Sequence, residues 1–414
     1  MGNTKTGAAT PTTTVTRVED FVQSIGVNTH MGNPSMGYGD VEVVLKELNY
    51  LGIDHIRDWI PEQIWPLQYY HLSTLASAGI QLHALLPNIN PIDLDSHMEA
   101  LHSFALAHPG AIASVEGPNE VDVTPITYQG LEGASAVRAL QKDLYAAVHG
   151  DSALAGVPVY NFTLAWTSPA SYGIGDMSAY ADYANVHGYV PNGVRPKDVL
   201  PNLIKTYSSN VAGKPIVVTE TNYYTLPQDS NWGGVNEDVQ AKYGLYTVLD
   251  NWKAGVSMTF FYELRDQAID LEREHNFGVF KADGTPKEFA TALHNMTAIL
   301  SDTGYNATSF STTPLKVSFS GLPQTASNLV MQESDGTHQV ILWDEQQLWD
   351  PDNHVQLPAT TSDVTLSFKK TFASILIFDP TESTEPTEVY HNVNRVTLEL
   401  SDAPMIVQLS DFFI

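Results

Sequence analysis

Short apolar runs recur along most of the chain, at 25–28, 53–59, 80–87, 112–120, 157–166, 184–190, 215–220 and 257–263. Each is strand-sized, and most are too apolar to show one face to water, as expected of strands buried on both sides. Between them lie stretches with apolar residues three and four apart, at 41–51, 67–78, 96–107, 135–148, 199–211 and 237–253. That spacing gives a helix one apolar face to lay against a sheet. Strands alternating with helices predict a parallel sheet. Eight such units within 21–300 predict an α/β fold closed into a (β/α)8 TIM barrel.

The rival is an open, doubly wound sheet. It needs a glycine-rich phosphate turn between a strand and the helix it opens. The glycine clusters Gly37-Tyr38-Gly39 and Gly173-Ile174-Gly175 do not open a helix in that way and read as loop glycines.

After residue 300 the pattern changes. Short alternating runs at 315–319, 329–332, 339–343, 364–368, 375–378, 396–400 and 406–409, separated by turn residues, predict a C-terminal antiparallel β-sandwich over 301–414. The Thr/Glu/Pro stretch 380–388 reads as a loop within it. Residues 1–20 read as a tail whose second half, 12–18, alternates like an edge strand of the β-domain.

Composition removes several function classes. With 414 residues, 43% apolar and 16% charged, the chain is an ordinary globular sequence with room for a large domain and a smaller one. A net charge of −27 with only 20 Lys+Arg leaves no basic footprint for nucleic acid and disfavours an anionic membrane surface, though a local basic pocket for an acidic polysaccharide stays open. No cysteine is present, so disulfides, thiolate–zinc sites and cysteine nucleophiles are excluded. No apolar run reaches the ~18 residues of a membrane span. The fourteen His are dispersed without a metal-binding pair, and no G-x-S-x-G elbow occurs, so no metal and no cofactor is expected. The acidic turn Asp93-Leu94-Asp95 reads as a solvated loop rather than a calcium site.

The candidate chemistry lies at the ends of the buried runs. The fourth run closes with Gly117-Pro118 and then presents Asn119-Glu120, and the seventh ends at Glu220. In a parallel barrel, residues at the C-terminal strand ends face one another across the mouth. Two carboxylates there can divide labour, one staying protonated as an acid and the other staying ionised to attack an anomeric carbon. Aromatic residues that could stack on sugar rings, or simply pack, fall at or after strand ends: Trp59, Trp166, Tyr223, Tyr224, Trp232 and Tyr262. Trp166 and Tyr223 are the preferred platforms. His30 and His83 read more readily as loop and core residues.

The stretch ending in Asn119-Glu120, the strand ending in Glu220, Arg57 on the second run, and His187 with Tyr189 in the sixth together resemble clan A glycoside hydrolases, family 39 above all. The resemblance covers roughly 21–300, extends to 277–293 after the eighth strand, and suits a trailing β-sandwich. There are departures: Val121 stands where many relatives carry Pro, and Phe260-Phe261-Tyr262 where a Trp is common.

The resemblance implies Glu120 as general acid/base, Glu220 as nucleophile and Asn119 on the sugar 2-hydroxyl. It also implies that Tyr189 or His187 holds Glu220, and that Arg57 supports Glu220 or the sugar. Arg57 could instead pair with Asp58, and His187 could be a core histidine. The expectation is a retaining glycosidase whose partner is a carbohydrate, secreted or periplasmic, with a cytoplasmic location left open. The rivals are a catalytically silent, lectin-like barrel and a transglycosylase. The sequence leaves the sugar, the linkage and the oligomeric state open.

Overall fold

A computed structural model describes residues 14–229 and 232–413, and the expectations for the first thirteen residues lie outside it. The chain divides into two compact units, one of Gln23–His294 with Trp349–Leu357 and the other of the remaining described residues.

The first unit is the (β/α)8 barrel. Its strands are β1 (Ile25–Asn28), β2 (His55–Trp59), β3 (Gln81–Leu85), β4 (Ile112–Glu116), β5 (Val159–Tyr160), β6 (Ala184–His187), β7 (Ile216–Thr221) and β8 (Val256–Phe261). They run in the spatial order β5-β4-β3-β2-β1-β8-β7-β6, every pair parallel. A parallel bridge between Tyr160 and Tyr183, with the Asn161 N–H donating to the Tyr183 carbonyl at 3.1 Å, closes the ring.

The connecting helices are α1 (Val41–Leu51), α2 (Pro66–Ser77), α3 (Leu94–Ala107), α4 (Gly133–Gly150), the single turn α5 (Pro169–Tyr172), α6 (Pro196–Tyr207), α7 (Glu237–Lys253) and α8 (Glu288–Ile299). α1 illustrates how they form. Asp40 caps its N-terminus by accepting from the Glu42 N–H, Val41, Val44, Leu48 and Leu51 bury one face, and Gly52 ends it at φ 65°. Asp93 likewise caps α3, accepting from the Ser96 N–H at 3.2 Å.

Two strands are shorter than the sequence pattern suggests. β5 has two ladder residues where a run of ten was expected, because the next backbone groups bond the β4 loop instead. The Thr163 N–H donates to the Pro118 carbonyl, and the Thr163 carbonyl accepts from the Val121 N–H. β4 ends at Glu116 rather than Glu120. At Gly117 a Cβ would lie 2.0 Å from Oε1 of Gln141 and 2.9 Å from the backbone nitrogen of Phe162, so the close approach of the β5 loop favours glycine there.

The barrel floor is packed. Phe260 fills it against Gly26, where an added Cβ would meet the ring at 2.4 Å. His83 joins this layer between His55 and the Ser114 hydroxyl, a core position away from the mouth.

The second unit is one continuous seven-stranded sheet folded over a shared apolar core. Its labelled strands are β9 (Val317–Ser320), β10 (Ala326–Gln332), β11 (His338–Asp344), β12 (Ser362–Phe378), β13 (Glu388–Leu400) and β14 (Met405–Ser410). The long β12 pairs with β9 through its first half and with β14 through its second. The core includes Val340, Leu342, Val364, Leu366, Ile375, Val396, Leu398 and Val407, supplied by alternate positions of several strands. Among the described strands of this sheet, all ladders are antiparallel except that of Val15–Arg17, which pairs parallel with β10.

Candidate active site

At the C-terminal end of the barrel a cleft of 490 Å³ is lined by Arg57, Asn119, Glu120, His187, Tyr189, Glu220, Trp166, Trp232 and Tyr262, among others. Its anchor is Arg57, buried on β2 with all five guanidinium hydrogens donated. Nε and Nη2 grip both oxygens of Glu116 at 2.7 Å each, Nη1 donates to Asn28 Oδ1 at 2.8 Å and to Glu220 Oε1 at 2.6 Å, and Nη2 also donates to Asn119 Oδ1 at 2.8 Å. Arg57 therefore pairs with Glu116 and Glu220, not with Asp58. Asp58 instead accepts from the Thr29 hydroxyl and the Met31 N–H, which holds the β1 loop.

Burial by itself would lower the Arg57 pKa; the two facing carboxylates outweigh it and raise it, so Arg57 stays a fixed cation. Sequence reasoning missed Glu116 and Asn28, both of which sit inside predicted strands, where a buried polar residue signals a partner.

Glu220 is the more enclosed of the two acids, its side chain 9% exposed against 24% for Glu120. Besides Arg57 it accepts from the Tyr189 hydroxyl at 2.8 Å. Burial pushes its pKa up; His187, Arg57 and Tyr189 together push it further down, leaving it below the usual carboxylate value. His187 Nδ1 lies 2.8 Å from Glu120 and 3.4 Å from Glu220, bridging the two acids. One oxygen from each acid and one nitrogen of His187 all lie within 4.8 Å of one another. Such a trio could hold a cation; Arg57 already sets one positive charge against Glu220, at its other oxygen Oε1.

Glu120 sits on a constrained turn at φ 39°, in the left-handed region that non-glycine residues rarely adopt. The turn is held from several sides. The Glu120 N–H donates to the Thr163 hydroxyl at 2.9 Å, its carbonyl accepts from the Val123 and Thr124 N–H groups, and Asn88 bonds both the N–H and the carbonyl of Asn119. Asp122 ties the same loop to the β5 loop by accepting from the N–H groups of Ala165, Trp166 and Thr167 at 2.7–2.9 Å. Partial burial works against its ionisation, but these three donors outweigh it and lower its pKa.

The aromatic expectations divide. Trp166 is 63% exposed and stands edge-on to Trp232 at the cleft wall. Tyr262 lines the floor against Tyr189 and Phe277. Tyr223 is not a platform: it is 3% exposed, outside the cleft, with its hydroxyl donating to the Val194 carbonyl and its ring against Tyr243. Tyr224 is core as well. Arg273 and Glu274, unremarked in the sequence, complete the wall beside Trp232 and pair with each other at 3.2 Å. His30 lines the cleft and pairs with the buried Glu263 at 3.0 Å.

The His187 bridge carries a pH signature. Burial lowers the His187 pKa, but Glu220 and Glu120 outweigh it and raise it above the ordinary 6.5. A raised histidine contributes stability fully below 6.5, and the contribution is lost as pH rises through its folded pKa. The lowered Glu220 contributes fully above 4.5 and loses its share as pH falls through its folded pKa. The stability advantage of the wild type over His187→Gln is therefore greatest between 4.5 and 6.5 and shrinks towards higher pH. Thermal unfolding of both proteins across pH measures this; an advantage that grows above neutrality contradicts it.

No family model and no curated protein matches the chain. Solved structures do. A family 39 glycoside hydrolase from the gut symbiont Bacteroides cellulosilyticus WH2 superposes with TM-score 0.66 at 14% identity, over 94% of this chain and 82% of that one. The GH39 enzyme from Xanthomonas axonopodis pv. citri gives 0.61 at 13% identity, over 97% and 96%. A monomeric beta-xylosidase from Caulobacter crescentus CB15 gives 0.60 at 12% identity, over 94% and 96%. The chain thus has the fold of family 39 glycoside hydrolases: a TIM barrel with a separate β-domain. Identities this low carry the fold and nothing finer.

Proposed function

We propose that this protein is a retaining glycoside hydrolase that cleaves a neutral poly- or oligosaccharide by double displacement, without metal or cofactor. The observation that carries the reading is the pair of acids at the barrel mouth, with oxygens within 4.8 Å of one another and one acid favoured as the carboxylate by His187, Arg57 and Tyr189. Retaining enzymes set their carboxyl groups about 5–5.5 Å apart, whereas inverting ones leave about 6.5–9.5 Å for a water.

In this scheme the Glu220 carboxylate attacks the anomeric carbon while the bond to the leaving oxygen breaks. Glu120 gives that oxygen its proton. Water then loses a proton to Glu120 and attacks the same carbon, releasing Glu220. Glu120 must serve as acid and then base, and the His187 Nδ1 contact suits both states, accepting from the acid in one tautomer and donating to the carboxylate in another. The Asn119 Oδ1 is occupied by Arg57, and its amide N–H2, without a protein partner among the described residues, is left to donate to a sugar hydroxyl.

A neutral substrate follows from charge. Asp58, Glu120, Glu220 and Glu274 line the cleft, while Arg57 has no hydrogen left to donate, Arg273 is paired with Glu274, and the two lining histidines, His30 and His187, are paired with Glu263 and Glu120. A uronic-acid glycoside should therefore be turned over at least ~100-fold more slowly than its neutral counterpart, like charges costing several kcal/mol when brought together. The test of the function is proton NMR of the first product released from a panel of aryl glycosides and polysaccharides. Retained anomeric configuration supports the proposal, inversion overturns the mechanism, and binding without release overturns the enzyme. Export from the cytoplasm belongs to the same proposal, extracellular polysaccharides being the natural neutral polymers for such a cleft.

A further inference from the structure

Beside the active-site cleft lies a second, more apolar groove of 520 Å³, between the loops that follow β2 and β3. The two share a wall: Trp59, at the end of β2, lines both. The groove continues over Trp65 and Leu67 at the start of α2 and over Pro87 and Ile89 after β3. Trp65 is 53% exposed and Ile89 54%, and Ile64 beside them is 73% exposed. A soluble protein rarely gathers large apolar side chains in one exposed place unless something covers them.

Resting on the glycosidase reading, we propose that this groove is a subsite for further sugar residues of the same chain that is cut in the cleft, with Trp65 as its stacking platform. Continuity through Trp59 selects this occupant, since the groove and the cleft that holds Glu120 and Glu220 meet at this residue. The chemistry agrees. A pyranose offers apolar C–H faces to an indole and hydroxyls to a rim, and the groove carries Asn33 and Glu62 beside its aromatic and aliphatic lining. Asn88 belongs to this groove and also bonds Asn119, so the loop after β3 that borders the subsite is tied to the loop after β4 that carries the acid/base. The enzyme is accordingly built for a chain of several neutral sugars rather than for a lone glycoside.

The test uses the whole protein with aryl glycosides of single sugars and the matching neutral oligosaccharides of two to six units. Wild-type kcat/KM should rise with chain length beyond the disaccharide. Trp65→Ala should lower kcat/KM on the longest oligosaccharides by about fivefold, the size of one aromatic contact. Its activity on the aryl monosaccharide should be unchanged, which also reports that it is folded. Trp65→Phe, keeping a ring, should fall between. Equal loss on short and long substrates, or no length dependence in the wild type, overturns the subsite while leaving the glycosidase intact. No cleavage of any member of the series overturns both.

Discussion

Replacing Glu220 by Gln is expected to lower kcat/KM on the best substrate by on the order of 10⁵-fold, the scale seen when a covalent nucleophile is removed. The fold should survive. The Gln carbonyl can still accept from Arg57, and its N–H2 can donate to the Tyr189 hydroxyl, so the buried contacts at 2.6 and 2.8 Å are remade with donor and acceptor exchanged at Tyr189. Glu120→Gln should cost less, about 10²- to 10⁴-fold, the usual worth of general acid–base catalysis. The loss should depend on the leaving group: smallest for acidic phenols, which depart without a proton, and largest for sugar alcohols. Steady-state kinetics on aryl glycosides of graded phenol acidity measure this. A flat loss across the series would contradict the acid role for Glu120.

Arg57→Met is expected to have the largest effect on stability, about 3–5 kcal/mol, because it leaves buried charge unpaired. Glu116 is fully buried and both of its oxygens rest on Arg57, so the penalty falls mainly there. A second substitution, Glu116→Leu on the Arg57→Met background, removes that orphan and should recover most of the stability in urea unfolding. It should not recover activity, since Glu220 keeps His187 but still lacks Arg57, the second of the charges that hold its pKa low. Recovery of both would reduce Arg57 to a structural ion pair.

The barrel was legible because its strands are buried on both sides and its helices on one, two patterns that need no tertiary information. That Glu120 and Glu220 would line one cleft was legible because each closes a buried run at the mouth. Side-chain direction past a strand end was not. Tyr223 stands three residues beyond Glu220, but the ladder ends at Thr221, and beyond it alternation no longer predicts which way a ring points. The loop carrying Tyr223 folds back on α7, where Gln240 donates to the Tyr223 carbonyl at 2.7 Å.

Glu116 and Glu120 posed a related problem: both lie in one predicted run, and only pairing separates them. Glu116 is claimed inside the barrel by Arg57, which frees Glu120, four residues on, for the cleft. Asp122 and Thr163 were invisible for the same reason. Each holds loop backbone donated by a different strand, and no local spacing announces such a bond.

In the proposed mechanism Glu220 becomes covalently bonded to the sugar. Glu120→Gln slows release of that intermediate, so this variant can be quenched in acid during turnover of an aryl glycoside with an acidic phenol, digested, and weighed by mass spectrometry. One added glycosyl unit is expected on the peptide carrying Glu220. Turnover with no adduct there, or an adduct on another residue, would contradict it.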